Sequence, residues 1–235
     1  MSVSRMIPRH GSAVFLLLAC LAAVPALAAV TVTTYAPGDE AAAIAGRVIE
    51  DFEDTTLEPG FSITLSQWRD ASNNLTADPA VTFSGSLPSV WSPASTIGFP
   101  DNAWDGTHAF VNGAGYAWGF PYAATMEITL DMPLADVGVG LSNFQHDASD
   151  AFTFHTLLVN GVDMGKLENM PNWVSTASGK NFYLHVIGDG DTPIESITIL
   201  ADDHFDGMVL DMMALGALAV PAEQSTMSAV KALFR

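Results

Sequence analysis

The sequence predicts an all-β protein, an antiparallel β-sandwich, on three observations. Glycine, proline, Asn and Asp punctuate short apolar runs at the spacing of sandwiches and barrels. The run Ala124–Leu130 alternates cleanly, with Met126, Ile128 and Leu130 on one side and Thr125, Glu127 and Thr129 on the other. That is the mark of an antiparallel strand with one buried and one wet face. Helical periodicity is confined to Gly38–Gly46, where Asp39 and Glu40 precede a short alanine run that they can cap.

Taken in order, the candidate strands are Val30–Tyr35, Val48–Glu53, Phe61–Leu65, Ala80–Ser84, His108–Asn112 and Ala124–Leu130. They continue with Val137–Ser142, Phe152–Asn160, Phe182–Ile187, Ile194–Ala201 and Met208–Leu215. Gly188-Asp-Gly-Asp191 reads as the tight connection between two of these strands, since no Glu follows at the spacing a calcium loop needs. The stretches Ser66–Pro79 and Leu87–Gly106 resist strand assignment and carry Trp68, Trp91 and Trp104. Long irregular loops of this kind are usually functional or mobile.

Residues 1–28 read as an export signal: Arg5 and Arg9, an uncharged run from Ala13 to Ala23, then Pro25-Ala-Leu-Ala28 for the peptidase. The apolar run is shorter than the roughly 20 residues of a spanning helix. The mature chain is therefore expected without a transmembrane segment, in the periplasm or outside the cell. The alternative makes Cys20 of Leu17-Leu-Ala-Cys20 a lipidated first residue, but the chain stays apolar beyond it. Residues 29–47 form an N-terminal segment, 48–218 the sandwich domain and 219–235 a polar tail expected to be disordered.

All 26 acids follow the signal, whereas Arg5 and Arg9 are two of the eight basic residues, so the mature net charge is −20. Such a surface repels nucleic acid, anionic lipid and acidic polysaccharide, and suits divalent cations and neutral ligands. Cleavage after Ala28 removes the single cysteine, so no disulfide staples the fold.

The stretch Asp206–Gly216 is an almost wholly apolar strand with Asp211 in its middle. In an uninterrupted strand Val209, Met213 and Leu215 share the face of Asp211. A buried carboxylate needs a partner. The other acid-rich strand, Val48-Ile-Glu-Asp-Phe-Glu-Asp54, cannot neutralise it, so the pair suggests a cation. Calcium suits hard oxygen ligands, and the histidines lack zinc-ligand spacing.

Asp51-Phe-Glu53, Trp104-Asp-Gly-Thr-His-Ala-Phe-Val111 and Asp206–Gly216 together resemble the galactose-binding-like jelly rolls, a group that includes many carbohydrate-binding modules. The resemblance implies a jelly-roll sandwich whose first and last strands lie side by side, with a structural calcium where they meet. Its ligands would be Glu53 (or Asp51), the main-chain oxygens around Asp105–Thr107, and Asp211. Val220-Pro221 with Glu223 and Ser225-Thr226 resembles the opening of the PEP-CTERM sorting signal. Here Gln224 replaces its second proline, and the apolar span and arginine cluster are absent.

Sugars stack their apolar faces on aromatic rings, and Tyr116-Ala-Trp118-Gly-Phe-Pro-Tyr122 is the densest such patch, with Trp91, Trp104 and Trp173 in other loops. The expected function is non-catalytic binding of a neutral glycan, through Trp91, Trp104, Tyr116, Trp118 and Tyr122. The alternative is a structural or matrix protein of the envelope. A glycoside hydrolase or polysaccharide lyase ranks third. Gln145-His146-Asp147 with Asp150, and His155 facing solvent, are its best constellation, and no GxSxG, HExxH or P-loop pattern is present.

Overall fold

The computed structural model describes residues 30–90, 108–113, 121–144, 155–172, 174–176, 179–201 and 208–219. It is an all-β antiparallel sandwich. Its strands are β1 Thr31–Tyr35, β2 Val48–Glu50, β3 Phe61–Arg69, β4 Val81–Phe83, β5 Phe110–Val111, β6 Tyr122–Leu134 and β7 Asp136–Phe144. They continue with β8 His155–Val159, β9 Val162–Lys166, β10 Val174–Thr176, β11 Gly179–Ile187, β12 Ile194–Ala201 and β13 Val209–Leu215. Among the described residues the first sheet runs β1-β11-β7-β13-β2, with β10 beside β11 and β5 beside β13. The second runs β4-β3-β6-β12-β8-β9.

Alternation builds one core between the sheets. Val137, Val139, Leu141, Phe182, Leu184 and Val186 enter it from the first sheet. Phe61, Ile63, Leu65, Met126, Ile128, Ile197 and Ile199 enter from the second. Phe110 at its centre meets Phe52 and Phe83 with ring centroids 6.0 and 5.9 Å apart.

Two bulges break the alternation. Gln67 takes φ +56, so Trp68 rather than Gln67 turns inward, and its Nε1 donates to Pro79 O at 2.9 Å. The stretch expected as irregular from Ser66 is therefore strand as far as Arg69. Met212 takes φ +48, and the β13–β7 register shifts between Asp211 and Ala214. Met208 and Leu210 face the core before the bulge, Met213 and Leu215 after it. Asp211 pairs with Gly140 on the opposite face. The expectation that Asp211 shares a face with Met213 and Leu215 is thus overturned by one inserted residue.

The connection at Gly188-Asp-Gly-Asp191 also differs from a hairpin, because β11 belongs to the first sheet and β12 to the second. The chain crosses between sheets there, as it does through Ala135, which alone separates β6 from β7. Asn160 and Gly161, both at positive φ (+50 and +76), form the two-residue turn between β8 and β9. The Asn160 side chain pins this turn to the sheet crossing. Its Nδ2 donates to Pro193 O at 2.8 Å, and its Oδ1 accepts from Glu195 N at 2.8 Å and Ser196 N at 3.1 Å.

Residues 31–47 are part of the sandwich, not a separate segment. β1 pairs with β11, and the chain then crosses the outer face of the first sheet to reach β2 on the opposite edge. A short helix, α1 (Ala41–Ile44), lies on that crossing and buries Ala43. Glu40 stands at its N-cap without capping it; the carboxylate accepts from Gly38 N instead, at 2.6 Å. Arg47 ends the crossing in a bidentate pair with Asp136, at 2.8 and 2.7 Å.

Candidate functional site

The three acid-bearing stretches converge on one edge of β13. β2 pairs with its later half, Glu50 opposite Met213, and β5 with its earlier half, Phe110 opposite Leu210. Asp211 and Met212 therefore stand opposite the junction where β2 ends and β5 begins. Glu53 ties that junction: its Oε1 accepts from His108 N at 2.8 Å, and Oε2 lies 3.1 Å from His108 Nδ1. Its carboxylate is thus placed at the residue that follows Asp105–Thr107. Asp51 is exposed, and its Oδ1 accepts from Glu53 N at 3.1 Å, an Asx turn. Asp211 is fully buried, with Oδ1 accepting from Met212 N at 2.7 Å.

The carboxylates of Asp51, Glu53 and Asp211 offer hard oxygen, which suits calcium. Among the described residues, however, no three His, Cys, Asp or Glu side chains come close enough to hold a metal between them. Asp105 and Thr107 lie outside the described residues.

The acid that the fold uses most heavily here is Glu50, which the sequence pattern does not single out. It is almost fully buried, and its carboxylate accepts from Phe52 N at 2.8 Å and Glu58 N at 2.6 Å. One side chain thereby folds the loop after β2, including the left-handed Phe52 at φ +51. Burial raises the Glu50 carboxyl above its ordinary range, against the lowering effect of those two N–H donors. Glu50 shares the face of Val48 and pairs with the core residue Met213, whereas Asp51 and Glu53 fall past the strand end.

Of the aromatic candidates, Trp91, Trp104, Tyr116 and Trp118 lie outside the described residues. Tyr122 is 2% exposed and packs with Ala124 and Ala201 rather than presenting a face to solvent. The strands nevertheless show where these segments attach. Gly113 and Tyr122 are bridged, and Asn112 clasps them, its Nδ2 donating to Ala123 O at 2.7 Å and its Oδ1 accepting from Met208 N at 2.7 Å. Registers place Arg69 opposite Tyr122, His155 opposite Ala201, Val209 opposite Ser142, and Lys180 opposite Phe144. The chain segments 114–120, 145–154 and 202–207 therefore all join strands at one end of the sandwich.

His146, Asp147 and Asp150 lie outside the described residues. His155 does not face solvent: it is fully buried, its N–H donating to both Glu168 carboxylate oxygens at 2.9 Å and its Nδ1 lying 2.5 Å from Oε1. Glu168 sits in the 3-10 turn Leu167–Asn169, so the pair pins that turn to β8. A histidine sealed this way cannot meet a substrate. Among the described residues no helix is long and apolar enough to cross a membrane.

Comparison adds no relative. No protein-family model, curated protein or solved structure matches the chain.

A second polar cluster occupies the outer face of the first sheet. The Asp136 carboxyl is held below its ordinary range by the hydrogen-bonded Arg47 guanidinium. His185 points to the same place, with Nε2 3.9 Å from Asp136 Oδ2, too long for a hydrogen bond. Neither His185 ring nitrogen has a hydrogen-bond partner among the described residues. Burial lowers its pKa, against the raising effect of the Asp136 carboxylate. Tyr35 lies beside it with ring centroids 6.3 Å apart, and Tyr183 donates to Met212 O at 3.1 Å.

Proposed function

We propose that this chain is an exported jelly-roll sandwich that binds a neutral glycan without catalysis, with a calcium ion supporting the junction of its first and last strands. The observation that carries the binding reading is the common origin of segments 114–120, 145–154 and 202–207 at one end of a rigid double sheet. Loops presented together by such a scaffold are where recognition is usually built. Tyr116 and Trp118 belong to one of them and supply stacking surface; the acids and amides of the others supply hydroxyl partners. The net charge favours an uncharged ligand. The calcium reading rests on the convergence of Glu53, His108 and Asp211 on one strand edge; the ion would be held by Glu53, Asp211 and main-chain oxygens of residues 105–107.

Affinity electrophoresis through immobilised neutral polysaccharides tests the binding site. Trp118→Ala and Tyr116→Ala should release the retained protein while its melting temperature stays unchanged. Unfolding by both substitutions would instead favour a structural protein of the envelope. For the ion, a calcium-dependent rise in melting temperature should vanish in Asp211→Asn, and a persistent rise would place the ion elsewhere.

A further inference from the structure

The end of the sandwich opposite the glycan-binding loops carries an uncovered apolar hollow. β6 runs toward it from Tyr122 and finishes at Leu134, and β13 runs toward it from Val209 and finishes at Leu215. Among the described residues seven large apolar side chains are exposed. Three of them, Val48, Met132 and Leu218 at 53%, 54% and 52%, line this one hollow. The buried Leu134 and Leu215 back them, and the volume is about 250 Å³, the scale of one or two large side chains. Single exposed apolar residues are ordinary, but apolar groups gathered in one concave patch mark an interaction site.

The rim of the hollow is acidic. Glu58 lines it and is exposed, and the exposed Asp131 stands alongside, its N–H donating to Gly60 O at 2.8 Å. The chain also leaves the described fold at this place. Leu218 is bridged to Leu134, and Ala219 N donates to Pro133 O at 3.0 Å, which fixes the start of segment 220–235 on the rim. That segment has the complementary composition. From Gln224 to Arg235 it holds no acid, and Lys231 and Arg235 bracket the apolar pair Leu233-Phe234. Of the eight basic residues, Arg5 and Arg9 precede residue 29, and Lys231 and Arg235 are two of the remaining six. Met227, Val230, Leu233 and Phe234 recur at the spacing of one helical face.

We propose that the chain's own segment 227–235 docks in this hollow, with Leu233 and Phe234 against Leu134 and Leu215, and with Lys231 and Arg235 facing Glu58 and Asp131. Residues 220–226 then act as a polar tether. Thirteen residues separate Ala219 from Leu233, and a flexible chain of that length spans roughly 20 Å. The tether holds the apolar pair near the hollow at an effective concentration on the order of millimolar, so weak intrinsic contacts suffice. A peptide of another protein lacks that advantage. A second copy of this chain meets the repulsion between two bodies of net charge −18. The site shares no residue with the glycan-binding end and stands or falls without it.

The test replaces Phe234 by the photoreactive p-benzoylphenylalanine in the intact chain. Irradiation in dilute solution, followed by peptide mapping, should join residue 234 to Met132, Val48 or Leu218 of the same chain. Glu58→Lys, at an exposed position that the fold tolerates, should lower that yield about two- to fivefold, the worth of an exposed ion pair. Adding Lys231→Glu and Arg235→Glu to the same chain should restore it. Docking also shields the Lys231–Ala232 bond, so trypsin should cut there faster in Glu58→Lys than in the parent. Cross-links scattered over the surface overturn the proposal, as does a yield indifferent to Glu58→Lys. Cross-links that join two chains and rise with concentration would overturn it in favour of a second copy.

Discussion

Removing the Glu50 carboxylate should destabilise the sandwich far more than removing the exposed acids around it. In Glu50→Ala the fully buried Phe52 N–H loses its acceptor, and an unsatisfied buried donor costs about 1–3 kcal/mol. The Glu58 N–H, in an exposed residue, can recover water, so its loss adds about 1 kcal/mol or less. The expected total is roughly 3 kcal/mol, or about 6–12 °C in melting temperature for a domain of this size. Urea unfolding of Glu50→Ala, beside Glu58→Ala as a control that keeps the N–H donor, measures it directly. The control should lie within about 0.5 kcal/mol of the parent. A Glu50→Ala value equally close would show that the carboxylate does not hold this loop. The pH dependence adds a sign. Because burial raises the Glu50 pKa, the folded state takes its proton more readily than the unfolded chain. Its contribution therefore declines as pH rises from the ordinary 4.5 through the raised value, and Glu50→Gln should flatten that decline.

Three further outcomes rest on the geometry. His185 has a lowered pKa, so its contribution is present above the ordinary 6.5 and lost as pH falls toward the lowered value. His185→Gln should remove that acid-side loss in calorimetric scans, while Asp136, also lowered, loses its contribution only below 3.8. Asn160→Ala removes three side-chain bonds at the sheet crossing and places alanine at φ +50; about 3 kcal/mol should be lost in urea unfolding. Gly138→Ala would bring a methyl group 2.5 Å from the Tyr183 hydroxyl and against its ring. It should destabilise by about 2 kcal/mol or more, and Tyr183→Ala in the same chain should restore part of that loss.

Where many of the strands lie along the chain was legible because apolar alternation reports burial directly, as in Met126, Ile128 and Leu130, all inward. Ile194–Ala201 appears with the bounds its pattern implies. What periodicity could not reveal was where it breaks. The bulges at Gln67 and Met212 sit in residues with no glycine-like signature, and each reverses the facing of the residues after it. The second bulge moves Asp211 off the core face and so changes the company of the residue at the centre of the expected cation site. β9 was missed because its burial pattern has no inward face to advertise: Val162 is 62% exposed on an edge strand. The buried His155–Glu168 pair was invisible because the two residues meet only when the 3-10 turn folds back on β8. Glu50 was hidden in plain view among neighbouring acids, and only its pairing with Met213 distinguishes it.

Recognition of a neutral glycan at one end of this sandwich is tested most directly by a glycan array. The probe is the chain lacking residues 1–28, applied once with calcium and once with chelator. Spots should be confined to one class of neutral sugar and be weaker or absent with chelator. A silent array from a folded, calcium-stabilised protein would contradict glycan recognition and leave the sandwich as a structural element whose ion serves only the scaffold.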